Sequence, residues 1–316
     1  MDTSFPSLSD IQSAHDRIQP FIHRTPIMTS TAIDQIGGCK IFFKCENFQK
    51  VGAFKARGAA NAVLNLSDKQ KSKGVATHSS GNHAAALARA ATVAGIPSYI
   101  VMPSNAPDIK KKAVKGYGGI IIECEPTLKA RETALEETVK KTGATFIPPY
   151  DNMDVIEGQA TCALELIEDQ EDLDVILAPV GGGGLLGGTS LAAHYLNPKI
   201  EIIGTEPKGA DDAFQSFHAN KLIPQTAPNT IADGLRTSLG AWNFKLVQIY
   251  VSDILLAADP QIIAAMRLIY ERMKIVVEPS AAVPLAALLA NQDRFAGKKV
   301  GLILSGGNVD LDTLPF

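Results

Sequence analysis

The stretch Val175-Ile176-Leu177-Ala178-Pro179-Val180-Gly181-Gly182-Gly183-Gly184 joins an apolar run to four consecutive glycines. The apolar run has the length and character of a buried parallel strand. After the glycines, Leu185 to Tyr195 carries apolar residues at helical spacing. A strand that turns through bare backbone into a helix exposes N–H groups at the positive end of the helix dipole, which suits a phosphate. We therefore predict a phosphate site at Gly181 to Gly184, here called the glycine cup; purely structural glycines are the alternative.

The composition is that of an ordinary globular protein. The chain has 316 residues, of which 46% are hydrophobic and 20% charged, and its net charge is −3. It contains no long basic block and no apolar stretch of roughly 20 residues, so neither nucleic acid nor a membrane is an expected partner. The first residues lack the basic start and apolar core of a secretory signal. The four cysteines have neither CxxC nor zinc-site spacing, so we expect free thiols and a cytoplasmic location.

Strand and helix patterns alternate along most of the chain. The segment from Gly74 to Pro149 contains three strand–helix units and a short closing strand at Thr145 to Ile147. Short links between such units favour a small parallel sheet covered by helices.

A second series of strands and helices lies on both sides of this segment in the sequence. Its predicted elements are the strand Lys40–Lys44, the helices Phe54–Leu66 and Gly158–Glu168, and the strands Val175–Val180, Ile200–Thr205, Ile249–Val251 and Val300–Leu304. The expected fold is α/β with two open parallel-sheet lobes and a ligand cleft between them. We predict a discontinuous large domain at 1–70 and 150–316 and a small domain at 71–149.

A dinucleotide is the main rival ligand for the glycine cup. Gly182-x-Gly184-x-x-Gly187 satisfies the GxGxxG pattern, and Glu206 ends the next strand where a ribose-binding carboxylate is expected. This pattern would make the protein an NAD-dependent dehydrogenase. Against that interpretation, four glycines remove more side chains than a pyrophosphate turn needs. A P-loop is excluded because no Lys-Ser/Thr pair follows.

Lys55 is the strongest candidate for a reactive side chain. It stands in Gly52-Ala53-Phe54-Lys55-Ala56-Arg57-Gly58, at the first turn of a predicted helix and among small or apolar residues. Such surroundings lower the pKa of an amine, as a Schiff-base lysine requires. An exposed lysine is the alternative. Together with the glycine cup, Lys55 points to an aldehyde cofactor that carries a phosphate, of which pyridoxal phosphate is the common example.

Two further motifs follow predicted strands. His78-Ser79-Ser80-Gly81-Asn82-His83-Ala84 leads into a helix, and its N–H groups suit a substrate carboxylate, although a simple helix cap is the alternative. Ser305-Gly306-Gly307-Asn308 follows the last strand, where Ser305 is positioned to hydrogen-bond a ring nitrogen; a plain turn is the alternative.

These four motifs, in their order along the chain, resemble those of the fold-type II pyridoxal-phosphate enzymes, in particular the serine racemase and serine/threonine dehydratase group. The resemblance extends from Thr25-Pro26 to Asn308 and implies the two-lobed fold of tryptophan synthase β. It implies that Lys55 bonds the cofactor aldehyde and that Phe54 and Asn82 flank the ring. It also implies that the glycine cup holds the phosphate and that Ser305 meets the pyridine nitrogen, with Glu278 nearby.

The same resemblance implies two reactions, the racemisation of serine and the β-elimination of its hydroxyl. Because Ser305 cannot keep the pyridine nitrogen protonated as a carboxylate would, elimination is favoured. Ser80 occupies the position of the second acid/base that racemisation needs. The implied substrate contacts are Ser79, Ser80, Gly81, Asn82, His83, Arg131 and Ser238.

A dehydratase without racemase activity is the alternative to a racemase, and two positions depart from the patterns of these relatives. Ala85-Ala86 replaces the Gln-Gly common in dehydratases, and Tyr150 stands where animal racemases carry asparagine. The region around Tyr150 also resembles fungal threo-3-hydroxyaspartate dehydratases. The second carboxylate of such a substrate needs a cation, for which Arg131 is the candidate; an exposed helix residue is the alternative. Dehydration of L-serine or L-threonine is a related alternative, and a catalytically silent amino-acid-binding protein is a more distant one.

The resemblance further implies a metal, a nucleotide and a homodimer. Glu206, the Ala210 carbonyl and Asp212 would bind Mg²⁺ or Ca²⁺, since both prefer oxygen ligands; a solvated acidic loop is the alternative. An activating ATP would bind at a dimer interface. The matching positions are Ser30, Thr31, Ala32, Lys50, Val51 and Tyr117.

Overall fold

The chain forms two separate β-sheets flanked by helices in the computed structural model, which describes residues 5–316. The sequence-based prediction that the chain lacks a secretory signal rests partly on residues 1–4, which lie outside the described residues. The strands in chain order are β1 (Ile27–Met28), β2 (Lys40–Cys45), β3 (Val75–His78), β4 (Ser98–Pro103), β5 (Ile120–Cys124), β6 (Thr145–Phe146), β7 (Val175–Pro179), β8 (Glu201–Pro207), β9 (Asp253–Ala257) and β10 (Lys299–Leu304).

The larger sheet has the strand order β1-β2-β10-β7-β8-β9. All neighbours in it are parallel except β1, which pairs with β2 in the antiparallel direction. β7 is buried along its whole length, as its uninterrupted apolar run predicts. The prediction that the strand at residues 40–44 joins this sheet is confirmed, because β2 pairs with β10.

The smaller sheet has the order β5-β4-β3-β6, and all its pairs are parallel. Its strands all come from the segment between Gly74 and Pro149, as the alternating pattern predicts. The α/β class with two parallel-sheet lobes is therefore confirmed.

Helices cover both sheets. In chain order they are α1 (Leu8–Ile18), α2 (Thr31–Gly37), α3 (Lys55–Leu64), α4 (Asp68–Lys71), α5 (Asn82–Val93), α6 (Asp108–Gly116), α7 (Leu128–Thr142), α8 (Met153–Asp169), α9 (Gly184–Leu196), α10 (Asp212–Ala219), α11 (Ala241–Tyr250), α12 (Asp259–Met273), α13 (Pro279–Leu289) and α14 (Gln292–Phe295).

Two sequence-based element predictions need correction. The strand predicted at Ile249 to Val251 is wrong, because Ile249 and Tyr250 form the last turn of α11 and the strand β9 begins at Asp253. A short apolar run does not distinguish a strand from the buried face of a helix. The helix predicted from Gly158 begins at Met153 instead, because the Asn152 side chain accepts a hydrogen bond from the N–H of Val155 at 3.0 Å and caps it there.

Helices α3 and α8 cross at two glycines. A Cβ added to Gly158 would lie 2.6 Å from the Cα of Gly58, so a side chain at this position would separate the two helices. This close crossing sets the position of α3, which begins with Lys55. Among residues 5–316, no helix is both long enough and apolar enough to cross a membrane.

Candidate active site

A cavity of about 560 Å³ lies between the two sheets. It is bordered by the residues that follow the carboxyl ends of β3, β7 and β10, where ligands of open α/β sheets bind. The structure brings together there all the residues that the sequence predicts for catalysis and for cofactor and substrate binding: Phe54, Lys55, Ser79, Ser80, Gly81, Asn82, His83, Arg131, Gly181, Gly182, Gly183, Gly184, Ser238, Glu278 and Ser305.

The glycine cup forms the N-terminal end of α9. Gly183 precedes the helix with a φ of 90°, and no side chain caps the first turn. A Cβ on Gly183 would lie 2.6 Å from the Cβ of Asn243, and one on Gly182 would collide with the Tyr150 ring. The first N–H groups of α9 thus lack a side-chain partner at the cavity wall, an arrangement that fits a phosphate.

Lys55 begins α3 directly beside the end of β10. The N–H of Phe54 donates to the carbonyl of Ser305 at 3.0 Å, which joins the lysine segment to the last strand. The Lys55 Nζ donates to the carbonyl of Pro149 at 2.6 Å. Burial lowers the pKa of Lys55 to about 8, and the Glu278 carboxylate acts in the opposite direction. A substantial fraction of the amine is therefore neutral near pH 8, as a nucleophile or base requires.

Asn82 and Glu278 meet across the cavity. The Asn82 Nδ2 donates to both carboxylate oxygens of Glu278 at 3.1 Å, and its Oδ1 accepts from the Nδ2 of Asn308 at 2.9 Å. Burial raises the pKa of Glu278 to about 7. The sequence motif contains Asn308 but assigns it no role. In the structure, its Nδ2 also donates to the Val51 carbonyl at 2.7 Å, and Asn308 thereby orients the Asn82 amide.

The segment from Ser79 to His83 forms the start of α5. Gly81 is the N-cap residue, and no side chain caps the helix, so the alternative of a simple Ser or Asn cap does not hold. The Ser79 Oγ instead accepts a hydrogen bond from the Gly81 N–H at 3.4 Å. Free N–H groups at this helix start are suited to a carboxylate.

His83 is buried and uncharged. Its Nε2 donates to the Ile147 carbonyl at 3.1 Å. The lone pair of Nδ1 then has no hydrogen-bond partner among residues 5–316. Burial, and then the nearby Lys55 charge, lower the pKa of His83 to about 3. The ring therefore stays neutral over the physiological pH range.

Arg131 lines the small-sheet side of the cavity. Within the described part of the chain, its guanidinium makes no hydrogen bond and no ion pair. Its charge acts on His78, whose pKa is lowered first by burial and second by Arg131. An unpaired guanidinium in a substrate cavity is available for an anionic group.

A buried ion-pair network, which none of the sequence motifs predicts, lies behind Lys55. Arg57 is fully buried and donates to both carboxylate oxygens of Glu46 at 2.8 Å and to those of Glu165 at 2.8 and 2.7 Å. Lys44 donates to Glu165 at 2.7 Å. The one available signal was the charge of Arg57 between small apolar residues. This network fixes the first turn of α3 relative to β2 and α8.

Glu206 and Asp212 lie beside the active-site loops. The Glu206 oxygens accept the N–H groups of Ala213 and Phe214 at 3.1 and 2.9 Å, and burial raises the pKa of Glu206 well above its usual range. The Asp212 Oδ2 accepts the Leu239 N–H at 2.8 Å, whereas its buried Oδ1 has no partner in residues 5–316. Together with the buried Ala210, this unsatisfied oxygen fits a cation.

The predicted nucleotide positions fall into two groups. Ser30 is the N-cap of α2, and Thr31 and Ala32 follow it, on the large-sheet side. Val51 and Tyr117 belong to the hydrophobic cluster around α3 and α5.

Comparison with known proteins agrees with this geometry. The family model described as pyridoxal-phosphate dependent enzyme matches residues 18–306. The chain is 51% identical to a beta-hydroxyaspartate dehydratase of Paracoccus denitrificans, over 98% of this chain and 99% of the relative. It is 50% identical to a serine racemase of Arabidopsis thaliana, over 96% and 93% respectively. The structure of maize serine racemase matches with a TM-score of 0.96 at 48% identity, covering 98% of this chain and 96% of that one.

The chain therefore belongs to the pyridoxal-phosphate dependent enzyme family. It is an enzyme of the racemase and ammonia-lyase kind, with the fold-type II architecture that its motifs indicate. The family cofactor is pyridoxal phosphate, which disfavours the dinucleotide interpretation of the glycine cup.

Proposed function

We propose that the protein interconverts L-serine and D-serine and also eliminates the β-hydroxyl of serine, which yields pyruvate and ammonia. The observation that carries the proposal is the single cavity that Lys55, Ser80 and the glycine cup all line. The similarity to serine racemases supports serine as the substrate.

The residues around the cavity fit pyridoxal phosphate. The uncapped start of α9 would bind the phosphate, Phe54 and Asn82 would flank the ring, and Ser305 would meet the ring nitrogen. When bound, this cofactor supplies an aldehyde carbon for Lys55 and an electron sink for the charge that develops at the substrate Cα.

The side chains of the cavity then divide the work of binding and proton transfer. The N–H groups at the start of α5 hold the substrate carboxylate. The Lys55 Nζ, neutral above a pKa of about 8, accepts the Cα proton from one face. For racemisation, the Ser80 Oγ donates a proton to Cα from the other face and is reprotonated by solvent. For elimination, the β-hydroxyl leaves as water, and the proton lost from Cα balances the proton that this water carries away. The released aminoacrylate then takes up water and hydrolyses to pyruvate and ammonia.

The cofactor assignment is tested by visible absorption. We expect wild-type protein saturated with pyridoxal phosphate to show an absorption band near that of a cofactor–lysine adduct, and we expect Lys55→Ala to lose it. A wild-type protein without such a band would contradict the proposal.

The role of Ser80 is tested by comparing two reactions of one variant. Ser80→Ala is expected to lose the conversion of L-serine to D-serine while retaining the elimination of L-serine, because elimination needs no proton on the far face. Elimination therefore serves as the internal control for folding and cofactor binding. Unchanged racemisation would refute the assignment.

A hydroxyaspartate dehydratase is the second candidate function. The unpaired Arg131 guanidinium in the cavity favours it, as does the 51% identity to a beta-hydroxyaspartate dehydratase. A charge-assisted hydrogen bond from Arg131 would hold the second substrate carboxylate. Dehydration of L-threonine remains a related alternative.

Arg131→Met separates the two substrates. We expect kcat/KM for threo-3-hydroxyaspartate to fall by roughly 10- to 100-fold, with a much smaller change for L-serine, since only the former has a second carboxylate that would lose its partner. Lys129→Met removes a charge of the same sign from an exposed position on α7 and serves as the control. Equal losses on both substrates would argue against a specificity role.

We also propose that Glu206, the Ala210 carbonyl and Asp212 bind Mg²⁺ or Ca²⁺. The buried, unpartnered Asp212 Oδ1 supports this proposal. Asp212→Ala should weaken Mg²⁺ binding measured by calorimetry, and Asp211→Ala, the adjacent carboxylate, should not. Identical metal binding in both variants would contradict the site.

The remaining proposals concern assembly and regulation. We propose a cytoplasmic homodimer, with ATP bound at the interface by Ser30, Thr31, Ala32, Lys50, Val51 and Tyr117. The four free cysteines support the cytoplasmic location. We also propose that the chain divides into a small domain at 71–149 and a large domain formed by 1–70 and 150–316. Light scattering should give twice the mass of one chain, and Lys50→Ala, but not Lys69→Ala, should weaken ATP activation.

A further inference from the structure

Asn243 lies directly behind the glycine cup, and the proposed reaction leaves it without a role. It is the third residue of α11 and is fully buried. Its Nδ2 donates to the carbonyl of Gly182 at 2.9 Å and to the carbonyl of Tyr150 at 3.2 Å. One amide group therefore binds the cup and the chain segment that joins the two sheets.

The hydrogen bond to Gly182 determines how the cup presents its N–H groups. The Gly182 carbonyl accepts from Asn243 and also from the Gly240 N–H, at 3.1 Å. Because a trans peptide is planar, its C=O and N–H point in opposite directions. The two donors therefore point the N–H of Gly183 away from α11. Glycines allow a peptide to rotate at little steric cost, so this orientation needs an external constraint.

The hydrogen bond to Tyr150 extends this constraint to the cavity wall. The Tyr150 ring packs against Gly182 so closely that a Cβ there would collide with it. By holding the Tyr150 carbonyl, Asn243 also keeps that ring in contact with the cup.

The first backbone N–H groups of α11 have an acceptor other than the Asn243 side chain. Asp151 accepts the N–H groups of Ala241 at 3.0 Å and Trp242 at 2.9 Å, and so caps the helix. The Asn243 Nδ2 also lies 3.5 Å from the Asp151 Oδ1, a longer contact than its hydrogen bonds to the two carbonyls. An acceptor-only aspartate at position 243 could not donate to those carbonyls.

We propose that Asn243 is a positioning residue that presets the glycine cup for the cofactor phosphate by holding the Gly182 carbonyl. This inference rests on the proposed function, in which the cup binds that phosphate.

The test compares pyridoxal phosphate with pyridoxal, which lacks the phosphate. Asn243→Leu has a similar volume and no donor. We expect its Kd for pyridoxal phosphate, measured by equilibrium dialysis with the apoprotein, to rise roughly 5- to 50-fold. Its Kd for pyridoxal should stay within about twofold of wild type, because the phosphate site contributes nothing to that ligand. The ³¹P resonance of the bound cofactor should also shift.

A matched variant controls for general loosening of the helix. Val247 is buried on the same helix and packs in the adjacent core, so Val247→Ala should leave both Kd values and the ³¹P shift unchanged. If Asn243→Leu does not fold, Asn243→Ser, with a shorter hydroxyl, takes its place in the same comparison.

Two outcomes overturn the inference. One is an unchanged Kd for pyridoxal phosphate in the Asn243 variant, and the other is an equal loss of affinity for both ligands. A wild-type protein that binds pyridoxal phosphate no better than pyridoxal would instead contradict the phosphate site itself, and with it the proposed function.

Discussion

Burial lowers the pKa of the Lys55 amine to about 8, even though the Glu278 carboxylate opposes the shift. The uncharged amine is favoured because solvation of the ammonium is lost in the cavity. At the scale of single residues, the surroundings of Lys55 thus convert a common surface side chain into a nucleophile.

The rate at which apoprotein bonds pyridoxal phosphate should report this pKa. Since only the neutral amine attacks the aldehyde, we expect the rate to rise with pH through a midpoint of about 8 and then level off. Stopped-flow absorption would measure it. Glu278→Gln should move the midpoint lower, because it removes the charge that raises the pKa. A rate still rising beyond pH 10 would contradict the expectation.

Arg57 shows the second residue-scale effect, the dependence of a buried charge on its partners. Its guanidinium bridges Glu46 and Glu165 without contact with solvent. Removing one partner of such a network leaves uncompensated charge in the interior, which costs far more than losing an exposed pair.

Arg57→Met should therefore lower the free energy of unfolding by about 3–5 kcal/mol. Arg24→Met is the control, because Arg24 pairs with Glu168 and Asp169 on the surface and its loss should cost about 0–1 kcal/mol. Urea denaturation of both variants would measure the difference. Similar costs would show that the buried network adds no special stability.

At the scale of elements, the site depends on where helices begin. Helices α3, α5 and α9 all start at the cavity without a side-chain cap. Their positions depend on close packing, above all the crossing of α3 and α8 at Gly58 and Gly158. Widening that crossing would move Lys55 relative to the glycine cup.

Gly158→Ala tests this crossing. The new methyl group would lie 2.6 Å from the Gly58 Cα, so we expect a loss of about 1–3 kcal/mol of stability through overpacking. In Gly116→Ala, at the end of α6, the added methyl group has no neighbour within 4 Å, and the substitution should be neutral or slightly stabilising. Thermal denaturation distinguishes the two, and equal behaviour would argue against a tight crossing.

At the scale of the whole molecule, contacts across the cavity connect the two sheets. The Lys110 Nζ of α6 meets the Asp233 Oδ2 at 2.8 Å, and Asn82 meets Glu278. Both contacts connect the segment that carries the small sheet with the segments that form the large one. A ligand held by Lys55, Asn82 and the glycine cup would add to these connections.

Removal of the cofactor should therefore destabilise the entire fold. At a free cofactor concentration 100 times its Kd, the free energy of unfolding should be about 2.7 kcal/mol higher than that of the apoprotein. Urea unfolding followed by the fluorescence of Trp242, the one tryptophan of the chain, would measure the shift. Superimposable curves with and without cofactor would contradict it.

The sequence by itself determined the local features of this enzyme. The strand before the glycine cup, the helix that starts at Lys55 and the alternation that yields two sheets follow from hydrophobic periodicity and glycine placement, which act over a few residues. The strand expected at Ile249 failed because so short a run carries no period of its own.

Only the tertiary structure decided which distant residues meet. Glu165 is 108 positions from Arg57, and Asn243 is 61 positions from Gly182, so no local pattern links either pair. Their contacts depend on how α8 and α11 pack against the sheet. A buried donor or acceptor must find a partner wherever packing places one, and that requirement is met in three dimensions rather than along the chain.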